Sequence, residues 1–239
     1  MESGPGLARF AEVVGRDELA LDQAALLIGA WDFPQRDLES YRALLDDIAK
    51  QVAPEVEAAD TGPLRAEAIS SWLFSRLGYA GNTDDYYDPR NSFLCEVIDR
   101  KRGIPISLSV LYLEVARRVG VLAQGVNFPG HFLVRVATED AWLFLDPFNH
   151  GQQLTPTDLE NLLRKTTNSS AVLEPNVIAA ASKRQIVARM LVNLAGIYGR
   201  NGDLPRSLDV LERLAILEPM NPRIARDLAQ LRQRVTALN

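Results

Sequence analysis

The sequence has one cysteine, Cys95, in 239 residues, so no disulfide can close within the chain and a zinc site built on several thiolates is excluded. Histidine is nearly as scarce, at two residues, His131 and His150. No apolar run approaches the roughly 18–20 residues that a membrane-spanning helix needs. Met1 to Phe10 includes Glu2 and Arg9 and lacks the apolar block of a secretion signal. The expectation is a cytoplasmic protein without leader or membrane span. Basic residues are not in excess: 26 Lys and Arg against 31 Asp and Glu leave a formal charge of −5. A general nucleic-acid binder needs a basic surface to displace counterions, so no nucleic-acid partner is expected. The run Arg100-Lys101-Arg102 reads as a solvated helix end.

What is present is an ordinary globular composition, 47% hydrophobic and 24% charged, in a chain long enough to bury a substantial core. Leu19, Ala20, Ala24, Leu27 and Ile28 share a helical face, with a stop at Pro34. A second helix is expected from Leu38 to Val52, with Tyr41, Leu44, Leu45 and Ile48 inward and Pro54 closing it. A third covers Pro63 to Leu77, capped by Gly78. Gly81 to Pro89 is turn-rich, and Asn91 to Asp99 reads as a short helix. Gly103-Ile104-Pro105-Ile106 then leads into a helix whose apolar stripe is Leu108, Leu111, Tyr112, Val115 and Val119, ending at Gly120.

Beyond Gly120 the pattern changes to strands: Val121–Asn127, His131–Ala137 and Ala141–Leu145, an antiparallel meander after a helix and hence an α+β arrangement. Thr155 to Arg164 is a short helix. Ser169-Ser170 and Pro175 mark a connection, which puts the boundary near residues 170–182 and divides the chain into a core, 1–175, and an all-α tail, 182–239. Within the tail, Leu194, Ala195, Tyr198, Leu211 and Pro219 fall where a tetratricopeptide unit has its characteristic residues, with Gly202-Asp203 as the turn and a last helix from Pro222 to Leu238. The tail therefore resembles a single such repeat. One repeat cannot bury its faces alone, so it must pack on the core or on a partner.

Three features in chain order suggest cysteine-protease-type chemistry: a helix N-terminus that could lower a nucleophile's pKa, a histidine, and an acid to orient it. His131 begins one strand and Asp146 ends the next. Plainer roles exist for each. His131 could be satisfied by a backbone carbonyl, Asp146 could initiate a turn, and Cys95 could be a buried core thiol. Asn91 and Ser92 could be helix caps, Trp142 a core residue and His150 an exposed loop residue. A metal site from His131, Asp146 and His150 is a minor option; neither a metal nor another cofactor is expected.

Asp88-Pro89-Arg90-Asn91-Ser92-Phe93-Leu94, Arg102-Gly103-Ile104-Pro105-Ile106-Ser107-Leu108, Gly125-Val126-Asn127-Phe128-Pro129-Gly130-His131-Phe132-Leu133 and Leu145-Asp146-Pro147-Phe148 together resemble the SirB-type family. That family is a bacterial branch of the transglutaminase-like superfamily that often carries a tetratricopeptide tail. The resemblance implies a papain-like core of central helix and antiparallel sheet, and matches His131 and Asp146 to the superfamily's histidine and acid. It also implies a cysteine in the first turn of the central helix, about fifteen residues before its terminal glycine. Counting back from Gly120 reaches Pro105, between Ile104 and Ile106, none of which is a nucleophile. The expectation is a non-catalytic protein acting in binding or regulation. Asn91, Ser107 and Asn127 are candidates to line a cleft for a peptide or small ligand, and the tail is the candidate surface for a protein partner. The alternative is a hydrolase or acyltransferase with Ser107 or Cys95 as a relocated nucleophile.

Overall fold

The structure is a computed structural model that describes residues 5–168 and 172–237. Its elements in order are α1 (Pro5–Val14), α2 (Leu21–Ile28), α3 (Leu38–Glu57), α4 (Gly62–Ser70), β1 (Ala80–Gly81), α5 (Leu94–Arg100), β2 (Arg102–Gly103), α6 (Pro105–Arg118), β3 (Ala123–Val126), β4 (Leu133–Ala137), β5 (Trp142–Asp146), β6 (Gln152–Leu154), α7 (Pro156–Thr167), α8 (Lys183–Asn201), α9 (Leu204–Leu217) and α10 (Pro222–Ala237). A π-helical turn, Ser71–Arg76, continues α4, and 3-10 turns occupy Pro89–Ser92 and Pro147–Asn149.

Helix α6 is the axis of the molecule. Every residue from Pro105 to Ala116 is buried, so the one-sided stripe expected of it is in fact a core on all sides. Helices α2, α3, α4 and α5, strands β3 and β4, and α8 all pack against it. Such a helix can be apolar all round because no face meets water. Gly120 ends it at φ +73°, a conformation glycine adopts without strain.

The four-stranded antiparallel sheet runs in the order β3-β4-β5-β6. Val134, Val136 and Leu145 face the main core. Val126 and Leu133 face a second cluster with Phe128, Leu159 and Leu163. The free edge of β3 is covered by the connecting segment, whose Ala181 N–H donates to the Gly125 carbonyl, which removes an exposed pairing edge.

Several expectations are corrected. Helix α1, with Phe10, Val13 and Val14 buried, was not anticipated between flanking glycines. Helix α3 runs through Pro54 to Glu57; the hydrogen bond lost is to the carbonyl of exposed Lys50, which water can satisfy. Leu44 is 44% exposed, because the buried stripe of α3 is Tyr41, Leu45, Ile48, Val52 and Val56. Trp142 is 36% exposed, its ring covered by the Arg135 guanidinium at 4.3 Å rather than by core. Strand β6 was unforeseen, since Gln152-Gln153-Leu154 carries no alternation. Ser169-Ser170 of the connection and Leu238 of the last helix lie outside the described residues.

The inner faces of α8 and α9 (Ile186, Val187, Leu191 and Leu194; Val210, Leu214 and Leu217) belong to the same hydrophobic cluster as α1, α2 and α6. Arg184 secures the junction, donating to the Leu217 carbonyl at 2.7 Å and to the Val14 carbonyl at 2.6 Å. Helix α10 packs differently: Leu228 and Leu231 form a separate cluster with Leu208.

Candidate functional site

The register of the sheet decides where His131 and Asp146 meet. Val126 pairs with Leu133 and Val134 with Leu145. The β3–β4 turn and the end of β5 therefore share one end of the sheet. His131 sits in that turn, two residues before β4, with its N–H donating to the Phe128 carbonyl at 3.1 Å. Its Nε2 lies 2.9 Å from Asp146 Oδ2. Among the described residues nothing hydrogen-bonds to the other ring nitrogen, Nδ1, which leaves it for an incoming group.

Asp146 uses its two carboxylate oxygens differently. Its Oδ1 accepts from the Phe148 and Asn149 N–H groups at 3.0 and 3.4 Å and so starts the turn. Its Oδ2 accepts from His131 and from Asn149 Nδ2 at 2.7 Å. The carboxyl is 2% exposed. Burial pushes its pKa up, but the hydrogen bond and charge of His131 and the Asn149 donors outweigh it and hold the group below the ordinary carboxylate value. Asn149 was missed by sequence reasoning, although an asparagine three residues beyond an Asp-Pro turn start is a natural partner.

The turn itself is clamped. A Cβ added at Gly81 would lie 2.6 Å from the Phe148 ring, and one at Gly151 would lie 2.6 Å from Ser70 Oγ. Phe148 stands edge-on to His131, centroids 6.2 Å apart, and to Tyr86 at 6.0 Å. Tyr86 and Tyr87, with Ile104 just before α6 and with Val192, Gly196 and Arg200 of α8, enclose a cavity of about 190 Å³. The row His131, Phe148, Tyr86 thus links the histidine to a small cavity at the N-terminal end of α6, roofed by the tail.

The other candidate residues lie elsewhere in the network. Ser107 is fully buried; its hydroxyl donates to the Asn91 carbonyl at 2.6 Å and accepts from Ile104 N–H at 3.0 Å. It caps α6 from within. Asn91 is also fully buried, binding Asn82 Nδ2 through Oδ1 and the Asp85 carbonyl through Nδ2; it locks the 82–91 loop, while Asp88 caps the following turn. Asn127 is exposed and accepts from Arg189 Nη1 on α8 at 2.8 Å. Cys95 is buried on α5, 3.6 Å from where a Gly29 side chain would begin, and burial pushes its thiol up to about 11. His150 is exposed at φ 57°. Among the described residues no group of histidine, cysteine and carboxylate side chains is placed to hold a metal ion, and no helix is long and apolar enough to cross a membrane.

Residues 39–192 match the family model of the transglutaminase-like superfamily. A UPF0162 protein of Xylella fastidiosa strain Temecula1 is 38% identical, over 95% of this chain and 83% of its own length. A UPF0162 protein of Pseudomonas aeruginosa is 29% identical over 87% of this chain and 76% of its own. F-box only protein 21 of Mus musculus is 37% identical over 57% of this chain but only 22% of its own length. No solved structure gives a significant match. With the family model spanning well over half its length and the Xylella relative nearly all of it, the chain belongs to the transglutaminase-like superfamily and groups with the UPF0162 proteins.

Proposed function

We propose that this chain is a non-catalytic member of its superfamily: a binding or regulatory protein that holds a peptide or small ligand in the cleft beside His131 and Asp146. Its tetratricopeptide-like tail forms part of the wall and contacts a protein partner. One observation carries the reading. The residue opening α6, where the superfamily's enzymes keep cysteine, is Pro105, and the hydroxyl of Ser107 two residues on is tied down, donating to the Asn91 carbonyl and accepting from the Ile104 N–H. Covalent acyl transfer needs a nucleophilic atom beside a base, and a proline ring offers none. The relocated-nucleophile alternative is left with Cys95. That residue is buried, and burial pushes its thiol up to about 11, away from the thiolate that acts as nucleophile.

What remains is a recognition surface. With Nε2 donating to Asp146, His131 Nδ1 can accept from a backbone N–H of an extended segment, and Asp146 fixes the ring that presents it. Arg189 joins Asn127 to the tail, so the tail and the sheet end form one wall. The recurrence of 57% of this chain as 22% of F-box only protein 21 suits a module used for recognition.

Gly196 provides the test. It lines the small cavity, and nothing lies within 4 Å of a Cβ built there. Gly196→Leu should therefore fill the cavity and raise helix stability by about 0.8 kcal/mol. Proteins and small molecules retained from a bacterial lysate by the intact chain should be lost with Gly196→Leu and with His131→Ala, while both variants stay folded. Retention of the same partners by both variants would defeat the reading.

A further inference from the structure

Helix α10 packs chiefly on α9, and a groove opens beside it. Between α9–α10 on one side and α1 with the α2–α3 link on the other lies a cavity of about 1000 Å³. Leu7, Leu27, Phe33 and Ile216 supply apolar wall, and Trp31, 54% exposed, stands on its border. The groove shares no lining residue with the small cavity at Tyr86 and Gly196.

One charged side chain in its lining is out of keeping with the rest. Arg213 is 1% exposed, the largest fully buried side chain among the described residues. Its Nη1 binds Asp209 one turn earlier on α9, and its guanidinium carbon lies 5.8 Å from the centre of the Phe10 ring. Its Nε has no hydrogen-bond partner. A buried donor on a charged group that is left without a partner pays its full desolvation penalty. Burial pushes the carboxyl of Asp209 up. With Nη1 taken, the Nε–Nη2 edge is left, which is the fork that fits a carboxylate through two parallel hydrogen bonds. Gly6 adjoins that edge: a Cβ there would lie 3.8 Å from Nη2.

The remaining charges of the lining leave Arg213 as the incomplete one. Arg9, Arg36 and Arg232 are each already paired, to Glu39, to Glu96 and Asp99, and to Glu212. Asp37 caps α3.

We propose that this groove binds a segment of a partner protein that presents an aspartate or glutamate between bulky apolar residues, the carboxylate meeting the Nε–Nη2 edge of Arg213 and the apolar side chains lying against Trp31 and Phe33. The requirement for acid comes from the unsatisfied donor, and the requirement for apolar flanks comes from the walls.

The test is selection of short random peptides on the immobilised full chain, followed by affinity measurement through tryptophan fluorescence or calorimetry. Enriched peptides should carry an acid flanked by apolar residues. Amidating that acid should weaken binding to the natural chain by about tenfold or more, and should change nothing further in Arg213→Gln. Trp31→Ala, at an exposed position, should also weaken binding about tenfold without loss of fold; it keeps the test decisive if Arg213→Gln fails to fold. The proposal is overturned by the absence of enrichment over a Trp31→Ala control, by enriched peptides that lack an acid, or by binding indifferent to Trp31→Ala. It is equally overturned if sedimentation finds the groove occupied by a second copy, as a dimer that Trp31→Ala dissociates.

Discussion

His131 Nε2 and Asp146 Oδ2 lie 2.9 Å apart, and the carboxylate that fixes the ring also builds the turn after β5. Four donors converge on Asp146: His131 Nε2, the N–H groups of Phe148 and Asn149, and Asn149 Nδ2. Asp146→Ala removes the buried acceptor they share and should cost about 3 kcal/mol in urea unfolding. Asp146→Asn, which keeps one acceptor oxygen, should cost less.

The same group gives a pH dependence of known sign. Asp146 titrates below its ordinary value of 3.8 in the folded chain, so acidification protonates the unfolded state first. Its stabilisation is complete above about pH 4–5 and is lost as pH falls through the folded value. Unfolding free energies between pH 2 and 6 should fall more steeply on the acid side for the natural chain than for Asp146→Asn. Parallel curves would contradict this.

A second charged hub holds the N-terminal helices to α6. Arg118 donates to Asp22 at 2.8 Å, to Glu114 at 2.5 Å and to Asp46 at 2.6 Å, and both Asp22 and Glu114 are buried. Arg118→Met leaves two buried carboxylates short of a counter-ion. The cost should be about 3 kcal/mol, at the low end for a broken buried pair, because Arg117 and Arg42 still reach these acids. Double-mutant unfolding with Asp22→Asn should recover part of it.

Gly81 controls the aromatic row. An added methyl would meet the Phe148 ring at 2.6 Å, so Gly81→Ala must displace Phe148 from its edge-on contact with His131. The expected stability loss is about 1–3 kcal/mol, with a shift in the His131 ring resonances by NMR; unchanged resonances would show that Phe148 does not position the histidine.

The elements that could be read from the sequence are those with a local signal. Helices α2, α3 and α6 announce themselves by periodicity, β4 by alternation, and α7 by Pro156 and Asp158 in its first turn. The pairing of His131 with Asp146 was legible because neighbouring antiparallel strands bring their ends together. Other features had no local signal. The π-helical turn before Gly78 and the packing of Phe148 on Gly81 depend on segments far apart in sequence. The shift of Asn91 and Ser107 from cleft candidates to buried loop and helix ties depends on the 82–91 loop folding over the start of α6. Pro105 was readable by counting alone, whereas the commitment of Ser107 beside it needed the three-dimensional contacts.

The central claim is that no nucleophile serves the histidine. The direct measurement is intact mass after treating the native chain with a fluorophosphonate and, separately, with a thiol alkylator, alongside His131→Ala. The native chain should take up neither reagent, and the chain unfolded in denaturant should gain a single thiol adduct at Cys95. A native adduct on Ser107 or Cys95 that disappears in His131→Ala would contradict the account.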